Sequence, residues 1–246
     1  MNTDCKAVSA RPVFPTTHWS IVLEVGQQDS SRSAEALTQL CRTYWYPLYA
    51  YVRRKGYPAH DAQDLTQEFF ARLLARNYLT AADRNRGKFR SFLLGSLEHF
   101  LAREWTRAHA EKRGGTQPPF SFDDAHAEGR YFKEPANELT PERLFDRRWA
   151  TTVLETALDG LRQEYLGRGQ GELFGKLEGL LTGDDSAGSY AVIGAGLGLS
   201  EGAIKVAVHR LRKRYGELIR AEIGQTVAVP ADVDEELRYL FAVLRE

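Results

Sequence analysis

Long apolar runs are missing from this chain of 246 residues. None approaches the roughly 20 residues that cross a bilayer, so no membrane insertion is expected. The first residues, MNTDCKAVSARPVF, lack the apolar stretch of a secretory signal, which makes a cytoplasmic location the expectation. Cysteine is scarce: Cys5 and Cys41 stand in no CxxC pair or Cys/His cluster, which argues against a disulfide framework or a zinc site. No metal and no cofactor is expected. Period-two alternation is absent too, which leaves little room for sheet. The glycine-rich stretches do not match nucleotide-binding motifs. Gly171 to Lys176, GELFGK, has the wrong glycine spacing for a phosphate loop, and Leu177 follows where Ser or Thr is needed. Gly194 to Gly198, GAGLG, misses the dinucleotide fingerprint and follows no strand. No catalytic residue stands out, and an enzyme is not expected.

Charge of one sign is also missing overall, since 33 Lys and Arg balance 33 Asp and Glu. The balance is uneven along the chain. Arg84 to Arg113 carries eight basic residues against three Glu, and Ser200 to Glu222 carries six against three. Between them, Gly114 to Leu199 holds fourteen acids against eight bases. Two positive patches around an acidic stretch fit a polyanion held at two places.

What is present is helical periodicity almost throughout. HWSIVLEVGQ reads as a short first helix capped by Thr16 or Thr17. Ser33 to Arg54 reads as a second, with Leu37, Leu40, Tyr44, Leu48 and Tyr51 at helical spacing and Pro47 expected to kink or split it. Pro58 opens a third, along which Ala62, Leu65, Phe69 and Leu73 share a side. Lys88 to Lys112 reads as a fourth. Residues 114–140 lack periodicity and read as a linker. Thr140 caps a further helix with Pro141 as its first residue. Another helix runs through Leu173, Leu177, Leu180 and Leu181, and a last amphipathic one follows Pro230. The expected fold is all-α: two helical domains, 33–113 and 141–224, joined by an extended linker (114–140). An N-terminal extension (1–32) and a C-terminal helix (225–246) flank them.

The most telling stretch is Ser189 to Tyr215, SYAVIGAGLGLSEGAIKVAVHRLRKRY. A short apolar segment, a Gly198-Leu199 turn, a Ser200 cap and a basic amphipathic helix follow in the order a helix-turn-helix requires. Ile204, Val208, Leu211 and Tyr215 form the core stripe. Glu201, Gly202, Lys205, His209, Arg212 and Lys213 then lie on or near the outer face. Lys205 sits where an early side chain reaches base edges, whereas Arg210, Arg212, Lys213 and Arg214 suit phosphates.

The upstream basic segment interleaves cations with Phe89, Phe92, Phe100 and Trp105. Aromatic rings beside cations are how proteins hold unstacked bases. Core spacing, however, predicts burial for most of these rings. Trp105 shares a face with Leu94, Leu97 and Leu101, which predicts burial for it as well. The cations, together with the loop before Phe89, are therefore the better candidates. On the third helix Asp61, Asp64 and Glu68 share an exposed face, without His or Cys at ligand spacing. They either offset the helix dipole or form a protein-docking face.

Two runs carry a family resemblance. Asp61-Ala62-Gln63-Asp64-Leu65-Thr66-Gln67-Glu68-Phe69-Phe70, followed by Gly87-Lys88-Phe89-Arg90-Ser91-Phe92-Leu93, resembles region 2 of bacterial sigma-70 family factors, of the two-domain extracytoplasmic-function type. Tyr190 to Tyr215 resembles their region 4, most specifically in Gly198-Leu199-Ser200-Glu201-Gly202-Ala203-Ile204-Lys205. The resemblance covers residues 33–113 and 141–222. It implies a non-enzymatic role, recruiting core RNA polymerase to promoters. By carry-over Asp61, Asp64, Gln67 and Glu68 would meet the polymerase β′ clamp, and the C-terminal domain the β flap. Arg84, Arg86, Lys88, Arg90, His99, Arg103 and Arg107 would capture and melt the −10 element, with one base flipped out. Ser200, Glu201, Gly202, Lys205, His209, Arg210, Arg212, Lys213 and Arg214 would engage the −35 element. The linker acids Asp123, Asp124 and Glu128 would occupy the RNA path. The resemblance also leaves room for an anti-sigma factor. Glu98-His99 and Arg103-Glu104 depart from the pairs common in that family, so no promoter sequence is implied. The alternative is a repressor or activator using the same helix-turn-helix on duplex operator, which should dimerise.

Overall fold

The computed structural model describes residues 30–74, 88–110, 124–131, 139–181, 187–227 and 229–245. Among them the only regular structure is helix, in keeping with the all-α expectation. Nine α-helices follow in order: α1 Ser30–Arg54, α2 Ala59–Leu74, α3 Phe89–Ala110, α4 Asp124–Tyr131, α5 Pro141–Gly167, α6 Gly171–Leu177, α7 Ala187–Leu197, α8 Glu201–Thr226 and α9 Val233–Arg245. The short helix expected at HWSIVLEVGQ lies outside the described residues.

Pro47 does not split α1, which runs unbroken past it. The proline removes one backbone donor. Leu40, Tyr44, Leu48 and Tyr51 on either side are nevertheless all fully buried, and that packing holds both turns on one stripe. Helix α5 starts as its sequence dictates. Thr140 Oγ1 accepts from the Arg143 amide at 3.3 Å, with Pro141 in the first turn.

Apolar side chains gather in two cores. The larger joins α1, α2 and α3 to Leu144–Ala157 of α5, to Ile219 and Ile223 near the end of α8, and to Val233 and Leu240 of α9. The smaller holds the helix-turn-helix, packing Ile204, Val208 and Leu211 of α8 on Leu161, Tyr165, Phe174, Leu177, Leu180 and Tyr190. Helices α5 and α8 run through both. The first helix of the 141–224 region therefore does not stand off from the 33–113 region: its Trp149 is fully buried against it.

The expected linker also needs correcting, because residues 124–131 form helix α4. Its eight residues are too few to be stable alone, and tertiary contacts hold it. Glu128 takes a bidentate pair from Arg53 (Nη2 to Oε1 2.6 Å, Nε to Oε2 3.1 Å) and the Tyr49 hydroxyl. The Arg130 guanidinium lies 4.1 Å from the Tyr46 ring centre. Thus Glu128 is engaged with α1 here. Asp123 and the Asp124 side chain are outside what is described.

The hydrogen bonds from Arg53 hold the Glu128 carboxyl below its ordinary 4.5. A depressed folded-state value stabilises above the unfolded value and is lost as pH falls through the folded one. Docking of α4 should therefore weaken at acid pH, below about the ordinary 4.5. Proteolysis within 114–140 is expected to speed up there before global unfolding, and Glu128→Gln should remove that dependence. Identical acid-induced cleavage in both proteins would refute it.

Candidate nucleic-acid interface

The helix-turn-helix is built by local rules. Helix α7 ends with Gly198 at φ +65, a left-handed conformation that glycine adopts without a Cβ penalty. The Leu199 amide donates to the Gly194 carbonyl (2.8 Å) and the Gly198 amide to that of Ala195 (3.4 Å), a Schellman pair. Ser200 then caps α8, its Oγ accepting from the Ala203 amide at 3.2 Å. The axes of Tyr190–Leu197 and Glu201–Thr226 meet at 104°, within the span usual for the motif.

Core burial orients α8. Ile204, Val208 and Leu211 face inward, and Tyr215 is half-buried. Glu201, Gly202, Ala203, Lys205, Val206, His209, Arg210 and Lys213 are exposed. Lys205 pairs with Glu201 one turn back, at 2.7 Å, and the carboxylate raises its ammonium above the ordinary value. Both stay in water.

Two of the arginines named as phosphate contacts, Arg212 and Arg214, have partners within the protein. Arg212 donates from Nε (3.1 Å) and Nη2 (2.7 Å) to the Leu180 carbonyl, tying α8 to the turn after α6. Arg214 forms a fork on Glu164 (2.6–3.2 Å) and reaches Glu217 at 2.9 Å. The Glu164 and Glu217 carboxylates push the Arg214 guanidinium above its ordinary value. Ser200 caps the helix through its hydrogen bond from the Ala203 amide.

Helix α3 divides in two. Its deep side buries Phe89, Leu93, Leu97 and Phe100 completely. At its head, Lys88 and Arg90 are held by acids from α5 and α9: Arg90 by Asp146 and Glu236, Lys88 by Glu235 and Glu236. Farther along, His99, Arg103 and Arg107 are exposed. Trp105 corrects the expectation of burial, since it is 59% exposed. It edges a surface hollow of about 350 Å³ lined by Tyr51, Lys55, Tyr57, Glu98, Leu101 and Ala102. A flat ring beside a lysine is what an unstacked base needs. Arg84 and Arg86 lie outside the described residues.

On α2, Asp61 is exposed, while Asp64, Gln67 and Glu68 are partly so. Glu68 holds Arg72 at 2.5 Å, and Arg72 reaches on to Glu104 of α3 at 2.7 Å. Asp64 lies 3.2 Å from His60 Nδ1. The acids thus run along one side of α2, and Asp61 alone lies in the first turn, where it complements the helix dipole. Among the described residues no group of three His, Cys, Asp or Glu is placed to hold a metal ion. No single described helix is long and apolar enough to cross a membrane.

Sequence reasoning missed Trp105, Lys55 and Val206 as surface features.

No family model matches the chain, and no solved structure does. It is similar to a curated protein, the ECF RNA polymerase sigma factor SigE of Mycolicibacterium smegmatis, at 25% identity over 191 residues. The match covers 76% of this chain and 63% of that protein, so the chain spans less than two thirds of the relative's length. That is a distant likeness to a sigma factor of the extracytoplasmic-function type.

Proposed function

We propose that this protein is a sigma-type initiation factor: it binds core RNA polymerase and directs it to promoters, with no catalytic step of its own. The observation that carries this reading is the 104° helix-turn-helix with its exposed basic face, on a chain that also holds an acidic α2 surface and an exposed aromatic-basic stretch on α3. The distant likeness to a sigma factor supports the same assignment.

In this reading Glu201, Gly202, Lys205, His209, Arg210 and Lys213 engage the −35 duplex. Arg212 and Arg214 only steady the helix that carries those residues. Val206, half-exposed beside Lys205, suits the methyl group of a thymine. His99, Arg103, Trp105 and Arg107 meet the −10 strand, Trp105 stacking on a base while the cations follow phosphates. Asp61, Asp64, Gln67 and Glu68 face the β′ clamp, and the helix-turn-helix region the β flap. An anti-sigma factor would compete for one of these surfaces.

The test is transcription in vitro from a pool of genomic fragments, with core polymerase and the full chain. Discrete start sites are expected only when the protein is present. Lys205→Ala is expected to lower output from duplex promoters about 5- to 100-fold while binding to core polymerase is retained. Loss of both together would mean that Lys205 supports the fold. A protein that initiates nowhere yet binds duplex operator tightly as a dimer is the repressor of the alternative reading.

A further inference from the structure

The head of α3 already has a bound partner, and it is the chain's own last helix. The first turn of α9 carries Asp234, Glu235 and Glu236. Glu236 is completely buried and accepts from Arg90 Nε at 2.6 Å. Lys88 Nζ lies 2.9 Å from Glu235 Oε1 and 3.0 Å from Glu236 Oε2. Arg90 Nη1 donates to Asp146 of α5 at 2.8 Å, and the Tyr239 hydroxyl of α9 donates to the same carboxylate at 2.6 Å. The Tyr239 ring covers the Arg90 guanidinium at 3.9 Å. Two cations from the basic stretch thus lie under an acidic, aromatic lid, the chemistry by which a nucleic-acid strand would itself be held.

We propose that α9 is an intramolecular ligand of the α3 head, occupying Lys88 and Arg90 in place of a polyanion, and that it must leave before the head engages nucleic acid. The proposal rests on the reading of α3 as a nucleic-acid surface.

The attachment combines apolar packing with ion pairs that a polyanion can replace. Val233, Glu236 and Leu240 are buried, one of them a carboxylate, and Leu237, Tyr239, Val243 and Leu244 pack partly buried against the larger core. Phe241 stays about half exposed. A buried ion pair loses in desolvation much of what it gains in attraction. Trading Glu236 for a phosphate oxygen at Arg90 is therefore close to an even exchange. Asp146 still holds Arg90 when α9 is away, so the guanidinium stays aimed. On the far side Arg220 pairs with Asp234 at 2.6 Å, between two exposed groups that water and salt can separate.

The experiment uses the full chain and a fluorescein-labelled, A/T-rich single-stranded DNA of about 20 nucleotides, followed by anisotropy at fixed salt. Glu235→Gln/Glu236→Gln is expected to bind about fivefold tighter or more, because more of the protein is already open. In the wild-type chain, amides of 233–245 are expected to lose hydrogen-exchange protection when this DNA saturates it. Should the double variant fail to fold, the exchange measurement on the wild-type chain decides alone. Equal affinity with α9 still protected overturns the lid while leaving α3 as a DNA surface. No binding by either protein overturns both readings.

Discussion

Trp149→Ala is expected to lower the free energy of unfolding by about 3–5 kcal/mol, measured by urea denaturation at neutral pH. The indole is fully buried where α5 meets the bundle of α1 to α3, and the Arg90 guanidinium lies 5.2 Å from its ring centre. Truncation removes apolar contacts from both sides of that junction, and the surrounding helices can collapse into the gap only partly. If the two regions were independent units that merely touch, the loss would be under about 1 kcal/mol, and the transition would split in two. A single, strongly shifted transition is the expected result.

Gly194→Ala should unsettle the helix-turn-helix. A Cβ built there lies 2.7 Å from the Leu199 carbonyl oxygen and 3.5 Å from Ile204 Cγ1. The close neighbour is backbone, so it cannot swing away like a flexible side chain. Either α7 tilts or the Gly198 turn opens, at a cost of about 1–3 kcal/mol. Both outcomes move Ser200 and the start of α8, so specific duplex binding should be lost while binding to single-stranded DNA survives. Unchanged duplex affinity would mean that the turn tolerates the shift or that α8 does not read DNA.

What was legible in the sequence was local. Thr140-Pro141, Gly198 and Ser200 announce helix ends through chemistry confined to a few neighbours. The Ile204-Val208-Leu211 stripe sets which way α8 faces. Its exposed side, with Lys205, His209, Arg210 and Lys213, followed directly. The partners of the other cations were out of reach. Arg90 meets Glu236 across 146 positions of chain, and Arg214 meets Glu164 across 50. Nothing at either position distinguishes a cation kept for DNA from one paired within the protein. Trp105 failed for a related reason. Its spacing from Leu101 and Leu97 is that of a core residue, yet it is 59% exposed at the rim of a surface hollow, which spacing alone does not encode. Helix α4 was hidden because its stability comes from Arg53, Tyr49 and Tyr46 rather than from any periodicity of its own.

One rod, α8, carries the exposed Lys205, His209 and Lys213 in its first half and anchors Ile219 and Ile223 in the other core near its end. An α-helix advances about 1.5 Å and turns about 100° with each residue. The phase and reach of the forward grip are therefore counted out in residues between Leu211 and Ile219, as notches are on a gauge. Lengthening that shaft by a single position would turn this exposed face by about 100° against the larger core without altering any residue on it.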